Sequence, residues 1–267
     1  MSPAMSPTTQ QSALDVLIPT TAPAFEAFRQ RLFTDAQLSS LHPENLTTWW
    51  QAKFFQMYAG DGDLAVRAIA KLLVWREGYD WFTLPQEDYA DQMASGKLYF
   101  EGVDRDGFPV LIFRQERHLA KADPDGIARN VRFLIWFMDR AIRDGTIKSR
   151  VTVFLDRINV GSANTESLAF IRHAVPQLQT AFPEIINKVA VFPAGMILYG
   201  MWKIAQPLIA PRLVKKIVIC SGEFQNALFE LVSPENLSRR YGGTLKQDGA
   251  DVVGTVGERR PGIVAEE

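Results

Sequence analysis

The feature that most restricts the fold is a stretch of 14 residues, 189–202, that contains no charged side chain. Lys203 is the only charge before Arg212, so the apolar character continues along the chain. A transmembrane helix needs about 20 consecutive apolar residues, and this stretch is too short to span a bilayer. It is therefore either enclosed in the protein core, or a helix that has apolar partners on two sides.

Strands and helices alternate along the rest of the chain, according to the spacing of the apolar residues. Apolar and β-branched runs predict strands at 97–102, 109–113, 150–155, 188–192 and 217–220. Helical spacing predicts helices at 24–33, 44–80 with a break at 60–63, 124–144 and about 163–181. Such alternation is typical of an α/β fold with a mixed or mostly parallel sheet. The predicted fold class is α/β, with a helical region before the sheet.

The composition argues against several classes of function. The chain has 29 basic and 30 acidic residues, and this balance disfavours electrostatic binding of nucleic acid. Cys220 is the only cysteine, so no disulfide forms within the chain, and a cytoplasmic location is expected. The three histidines lack zinc-ligand spacing, and neither a phosphate-binding loop nor a nucleophile elbow occurs. We therefore expect no metal, no cofactor and no enzymatic activity.

The two ends of the chain differ from its middle. Residues 1–11 are rich in Ser, Thr and Pro and are predicted to be disordered, without the features of a secretory signal. Residues 246–267 are predicted to form a loose tail. No run of about 18 apolar residues occurs, so no membrane-spanning helix is expected.

A series of short motifs follows in a fixed order through the chain. They are Trp75-Arg76, a Gly-x-Asp-x-x-Gly-x-Pro-Val hairpin at 102–110, Asp156 after a strand, Phe-Pro-Glu at 182–184, a basic turn at 212–216, Pro-Glu-Asn-Leu at 234–237 and Tyr-Gly-Gly at 241–243. In this order and spacing, the chain resembles the CRAL-TRIO (Sec14-like) family of lipid-binding proteins over residues 45–245. The resemblance implies an N-terminal helical region at 12–90 and a CRAL-TRIO domain at 91–245.

The resemblance also implies a function. Such a protein binds one lipid in an internal hydrophobic cavity, associates transiently with a membrane surface and exchanges the lipid there. The charge-free stretch then becomes a strand followed by an apolar gate helix, with the lipid inside and the membrane outside. The gate and cavity residues would be Met196, Ile197, Tyr199, Met201, Trp202 and Ile204.

Glu184 and Lys216 lie 32 positions apart, which matches the pair that recognises phosphatidylinositol in this family. A carboxylate can accept hydrogen bonds from the inositol hydroxyls, and an ammonium group can offset the phosphate charge. The resemblance departs at Tyr58 and Ala59, where phosphoinositide binders carry a basic pair, and at Ile185, where many members carry Arg. Lys53, Arg212 and Lys215 are the candidates for a compensating cation.

The family's phosphatidylcholine site uses hydroxyl groups on the cavity strands. Here those positions are apolar, and they are Phe100, Leu111, Val151 and Val153. A phosphocholine group would lack partners beside them, so an apolar second ligand such as a sterol is conceivable. Leu155 and Arg157 flank Asp156 where a haem-binding branch has His and Tyr, so haem is not expected. The alternative function is a lipid-sensing adaptor that acts through an unknown protein partner.

Overall fold

The computed structural model describes residues 23–35, 38–43 and 46–246. The disorder predicted for residues 1–11 and the tail predicted beyond residue 246 lie outside the described residues. The chain divides into two compact units, one of residues 1–87 with 142–149 and the other of residues 88–141 with 150–267. The domain boundaries predicted at residues 12, 91 and 245 stay predictions.

The first unit is helical in its described part. Its helices are α1 (Pro23–Thr34), α2 (Thr48–Met57) and α3 (Gly62–Gly78). The predicted break at 60–63 is confirmed, because Asp61 caps α3 and accepts hydrogen bonds from two backbone N–H groups at 3.0 Å. The helices meet through a cluster of aromatic rings on α1 and α2, in which Phe55 lies 5.5 Å from Phe25 and 5.1 Å from Phe28.

The second unit contains the sheet. Its elements in chain order are α4 (Ala90–Ala94), β1 (Leu98–Val103), β2 (Pro109–Arg114), α5 (Pro124–Arg143), β3 (Val151–Asp156), α6 (Leu168–Ala181), β4 (Ile186–Phe192), α7 (Met196–Ala205), α8 (Pro211–Val214), β5 (Ile217–Ile219) and α9 (Phe224–Phe229). The strand order is β1-β2-β3-β4-β5. Only β1 and β2 are antiparallel, and the other pairs are parallel. The predicted α/β class with a mixed, largely parallel sheet is confirmed.

The starts of α6 and β4 differ from the predicted ones. The helix expected from about residue 163 begins at Leu168, because Ser167 caps it by accepting a hydrogen bond from Phe170 N at 3.2 Å. A separate 3₁₀ turn, Ser162–Asn164, precedes it. Strand β4 starts at Ile186 rather than at residue 188, because the β3–β4 ladder already begins with the pair Val151 and Ile186.

One face of the sheet is fully packed. Its core contains side chains from the strands together with Leu228, Leu237 and Tyr241 from the C-terminal segment. This segment packs so closely that two motif glycines are required. A Cβ at Gly102 would lie 2.2 Å from Asn236 O, and one at Gly243 would lie 2.0 Å from Leu237 O. Gly102 therefore lets the C-terminal segment approach β1, and Gly243 lets that segment fold closely on itself.

Candidate functional site

The second face of the sheet carries two rows of apolar side chains that cross all five strands. The register places one row at Phe100, Leu111, Val153, Val189 and Ile217, and the next at Leu98, Phe113, Leu155, Val191 and Ile219. Since alternate residues of a strand share a face, both rows lie opposite the packed core. No polar side chain interrupts either row. The surface is therefore suited to an apolar molecule.

The middle of this face is partly exposed, and we call this patch around Val153 and Leu155 the hollow. Val153 and Leu155 lie on the central strand β3 and are partly exposed, whereas Phe154 between them is fully buried on the other face. Towards the start of β3 the face is filled, because Val151 is fully buried. Helix α5 covers one side, where the ring of Phe137 stacks on Phe100 at 5.8 Å. Among the described residues, the four predicted cavity positions Phe100, Leu111, Val151 and Val153 thus lie on this face.

Helix α7, Met196–Ala205, contains all six predicted gate residues, and it is not enclosed in the core. Met196 is 91% exposed, Ile204 is 52% exposed and Tyr199 is 41% exposed. Met201 and Trp202 are partly buried, and the side chain of Ile197 lies outside the described residues. The alternative of a permanently buried core helix is therefore wrong. An apolar helix exposed on one side leaves a surface that a membrane or another apolar partner could cover.

The segment after α7 is fastened to α6 by one side chain. Gln179 on α6 donates from Nε2 to Leu208 O at 3.1 Å and accepts at Oε1 from Ala210 N at 2.8 Å. At the other end of α7, a Cβ on Gly195 would meet no atom within 4 Å. The C-terminal end of the helix is thus held by specific hydrogen bonds.

The structure brings Glu184 and Lys216 together. Lys216 Nζ lies 3.3 Å from Glu184 Oε2 and donates to Ile186 O at 2.8 Å. Arg212, one of the three candidate cations, lies with Nε 2.6 Å from Glu184 Oε1 and is 67% exposed. One carboxylate thus faces two cations, so the group carries a surplus positive charge near the surface.

The other candidates for head-group contacts lie elsewhere. Lys53 is buried in the first unit, where Nζ donates to Ser149 O at 3.0 Å. Lys215 precedes Lys216 in the chain and is exposed. Ile185, at a position that often carries Arg in the family, is 1% exposed and belongs to the core.

Asp156 and Tyr241 form a buried hydrogen-bonded pair on the packed face. Asp156 Oδ2 accepts from Tyr241 Oη at 3.0 Å and from Arg240 Nε at 2.7 Å. Burial raises the pKa of the Tyr241 phenol, so it stays a hydrogen-bond donor. Asp156 and Arg240 are 84 residues apart in the chain, so this contact has no local signal in the sequence.

A buried polar cluster was not predicted from the sequence. Lys97, His118, Asn130 and Glu166 are all buried, and Lys97 Nζ lies 3.1 Å from His118 Nδ1. His118 Nε2 contacts Glu166 Oε1, and Lys97 Nζ donates to Gln92 Oε1. Burial lowers the pKa of Lys97 to about 8, although the negative charge of Glu166 opposes that change.

The pKa of Lys97 predicts how stability depends on pH. The folded protein releases the proton near pH 8 and the unfolded chain near pH 10.5, so within this window the unfolded chain binds more protons. Stability then rises with pH, by up to about 1.4 kcal/mol per pH unit. We expect the wild type to gain about 1–3 kcal/mol relative to Lys97→Met between these two pH values, measured by denaturant unfolding. A difference between the two proteins that stays constant over the window would contradict the prediction.

Comparison with known proteins identifies the family. A model of the CRAL/TRIO domain matches residues 93–243, more than half of the chain. The chain belongs to this family. It is 24% identical over 184 residues to a CRAL-TRIO domain-containing protein of Schizosaccharomyces pombe, covering 68% of this chain and 17% of that protein.

Two plant relatives and one solved structure extend the comparison. Phosphatidylinositol/phosphatidylcholine transfer protein SFH4 of Arabidopsis thaliana is 24% identical over 242 residues, covering 81% of this chain and 38% of that protein. Patellin-3 of the same plant is 27% identical over 183 residues, covering 63% of this chain and 37% of that protein. This CRAL/TRIO chain thus spans well under half the length of these relatives. Its fold is similar to the crystal structure of Sfh5, with a TM-score of 0.56, 11% identity and coverage of 96% of this chain and 94% of that one.

Two further findings concern the described part of the chain. None of its helices is both long and apolar enough to cross a membrane. Within residues 23–35, 38–43 and 46–246, no group of three or more His, Cys, Asp or Glu side chains is placed to hold a metal ion.

Proposed function

We propose that this CRAL/TRIO protein is a lipid-transfer or lipid-presenting protein that binds one lipid along the apolar rows and exchanges it with membranes. It catalyses no bond chemistry and works in the cytoplasm, where it associates transiently with membrane surfaces. The observation that carries the proposal is the accessible hollow over Val153 and Leu155, in the middle of a wholly apolar sheet face. Exposing these apolar side chains to water costs free energy, and a lipid that covers them would remove that cost.

The energetics favour exchange rather than permanent binding. Hiding an acyl chain of roughly 300 Å² from water gains about 7 kcal/mol, at about 25 cal/mol per Å². The bilayer offers the same chain nearly the same gain, so transfer between the two is close to thermoneutral. Selectivity must then come from the polar part of the lipid.

We propose phosphatidylinositol as the main ligand, recognised by Glu184 and Lys216. Their 3.3 Å pair leaves Glu184 with acceptor capacity for ring hydroxyls, and the surplus charge from Arg212 suits a phosphate. The relative named as a phosphatidylinositol and phosphatidylcholine transfer protein supports this lipid class. Phosphatidylcholine is the weaker candidate, because Phe100, Leu111, Val151 and Val153 offer no hydroxyl to its head group.

Native mass spectrometry of the gently purified protein tests whether it is a carrier. One co-purified lipid per chain is expected. A protein that stays empty, even after incubation with vesicles, would favour the alternative of an adaptor that acts through a protein partner.

Lys216→Ala tests the head-group assignment. We expect phosphatidylinositol transfer between vesicles to fall at least about tenfold, because a charge-assisted contact contributes about 1.5–3 kcal/mol. The melting temperature should change little, since the pair is half-buried at the surface. Lys71→Ala, an exposed lysine on α3, is the matched control and should transfer like the wild type. Unchanged phosphatidylinositol transfer by Lys216→Ala would refute the assignment and leave a simple surface ion pair.

A further inference from the structure

The apolar rows end in a polar pair at the carboxyl edge of the sheet. Arg157 directly follows β3, and its backbone N donates to Phe192 O at 2.6 Å, so this residue continues the pairing of β3 with β4. Arg157 Nη1 donates to Gln115 Oε1 at 2.8 Å, and Gln115 directly follows β2. Arg157 is two residues past Leu155, a rise of about 7 Å along the strand. The rows are thus followed by one positive charge.

That positive charge has no acidic partner in the described part of the chain. The side-chain hydrogen bond of Arg157 goes to a neutral amide, although a guanidinium group has five N–H donors. Burial lowers the pKa of Arg157, and no neighbouring negative charge opposes that change. By contrast, Arg114 at the end of β2 pairs with Glu116, and Arg240 pairs with Asp156.

Exposed apolar side chains occupy the same edge of the sheet. Leu119 follows β2 and is 65% exposed, and Met196 follows β4 and is 91% exposed. Because β2, β3 and β4 are adjacent and parallel, the segments that leave their carboxyl ends emerge at one edge. In strand order this edge carries Leu119, Arg157 and Met196, which we call the carboxyl-edge surface. The Glu184–Lys216 pair belongs to the opposite edge, because Glu184 precedes the amino end of β4.

This combination of side chains restricts the partner. A charge that is partly removed from water without a counter-ion costs free energy, and Arg157 is accessible enough for an external anion to reduce that cost. A guanidinium group matches the geometry of a phosphate. Free phosphate would leave Leu119 and Met196 in water, whereas a bilayer has lipid phosphates directly outside an apolar layer. A phospholipid surface therefore suits both the charge and the apolar side chains.

We propose that the carboxyl-edge surface docks on anionic membranes, with Leu119 and Met196 in the apolar layer and Arg157 bound to the phosphate of a bilayer lipid. This lipid belongs to the membrane and is not the cargo. The inference rests on the proposed function, since a lipid carrier must meet a membrane, and it adds a phosphate contact at the edge opposite to the Glu184–Lys216 pair. Recognition of the membrane and recognition of the cargo are then assigned to different edges of one sheet.

Vesicle sedimentation with the full chain tests the phosphate contact. Binding is measured on vesicles of phosphatidylcholine alone and on vesicles of phosphatidylcholine mixed equally with phosphatidylserine. The wild type should prefer the mixed vesicles, and Arg157→Gln should reduce that preference about fivefold, which is the contribution of one basic side chain near an anionic surface. Arg67→Gln removes the same charge from an exposed position on α3 and should keep the full preference.

Two further measurements separate docking from a structural role. Arg157→Gln should melt at or above the temperature of the wild type, because it removes a partly buried charge that has no acidic partner within the described residues. Leu119→Ser changes a side chain that is 65% exposed, so the variant should stay folded. It should bind the mixed vesicles at least about fivefold more weakly, since the lost side chain would enter the apolar layer. Leu64→Ser, at a leucine that is 42% exposed on α3, is the matched control and should bind like the wild type.

The outcomes separate this inference from the proposed function. An unchanged preference in Arg157→Gln, or unchanged binding by Leu119→Ser, would overturn the inference. A lower melting temperature of Arg157→Gln would overturn it as well, because the arginine would then be structural. Loss of co-purified lipid from Arg157→Gln with normal vesicle binding would place Arg157 in the cargo site and reject its membrane role. The carrier function is judged on the wild type alone: one co-purified lipid per chain supports it even if the inference fails, and a chain that stays empty rejects it.

Discussion

Val153→Trp is expected to leave the protein folded but to empty it of lipid. Val153 lies at the centre of the apolar row on β3 and is partly exposed, so an indole ring there can extend away from the sheet. The ring would occupy the place of the acyl chain. Native mass spectrometry should show co-purified lipid falling from about one per chain to about a tenth or less, and vesicle transfer should fall with it.

Val110→Trp is the matched control for that prediction. It is the same substitution in the same sheet, but Val110 on β2 belongs to the packed face and is 0% exposed. Overpacking a filled core costs about 1–3 kcal/mol or more, so this variant should melt at a clearly lower temperature. If Val153→Trp destabilised the protein as much as Val110→Trp, the second face would be packed and the hollow would not exist.

The fold was largely predictable because its signals are local or ordered along the chain. The alternation of apolar strands with helices indicated the class, and the charge-free stretch contains the first part of α7, which continues past Lys203 to Ala205. Glu184 and Lys216 could be paired from sequence only through the family resemblance, since 32 residues separate them. Their 3.3 Å contact confirms that they meet, while their role in binding a head group stays a prediction.

The buried polar cluster could not be predicted for a physical reason. His118 lies 21 residues from Lys97 and 48 residues from Glu166, and no periodicity links such positions. Each of the three looks like an ordinary surface residue in its own segment. Only the packing of β1, β2 and the loop before α6 removes them from water together, and burial then obliges them to pair.

The accessible hollow had a sequence signal, but an incomplete one. Alternation predicts that Val151 and Val153 share a face, yet it does not tell a packed face from an empty one. The two faces differ in what covers them. Tyr241 and its neighbours fill the core on one face, whereas the helices on the other face leave Val153 partly exposed. Packing of that kind depends on tertiary structure and leaves no pattern in the sequence.

Ile204→Asp is expected to abolish most transfer without unfolding the protein. Ile204 is 52% exposed on α7, so a substitution there should change the stability of the folded state by no more than about 0.5 kcal/mol. If α7 enters the membrane surface, the new charge must be buried in an apolar layer, at a cost of up to about 2.5–3.5 kcal/mol. Transfer should therefore fall at least about tenfold for every lipid cargo, since the defect lies in docking rather than in head-group recognition.

Val74→Asp separates a membrane effect from a general effect of added charge. Val74 is 56% exposed on α3, so the control introduces the same charge at a β-branched, helical and equally exposed position outside α7. It should transfer like the wild type, and Ile204→Leu should as well, because it keeps an apolar side chain. Binding of each variant to sedimented vesicles locates the defect: Ile204→Asp should bind less, while its circular dichroism melting curve matches the wild type. A folded Ile204→Asp variant with normal vesicle binding and transfer would show that α7 does not enter the bilayer, and the exposed apolar side of this helix would then need a different partner.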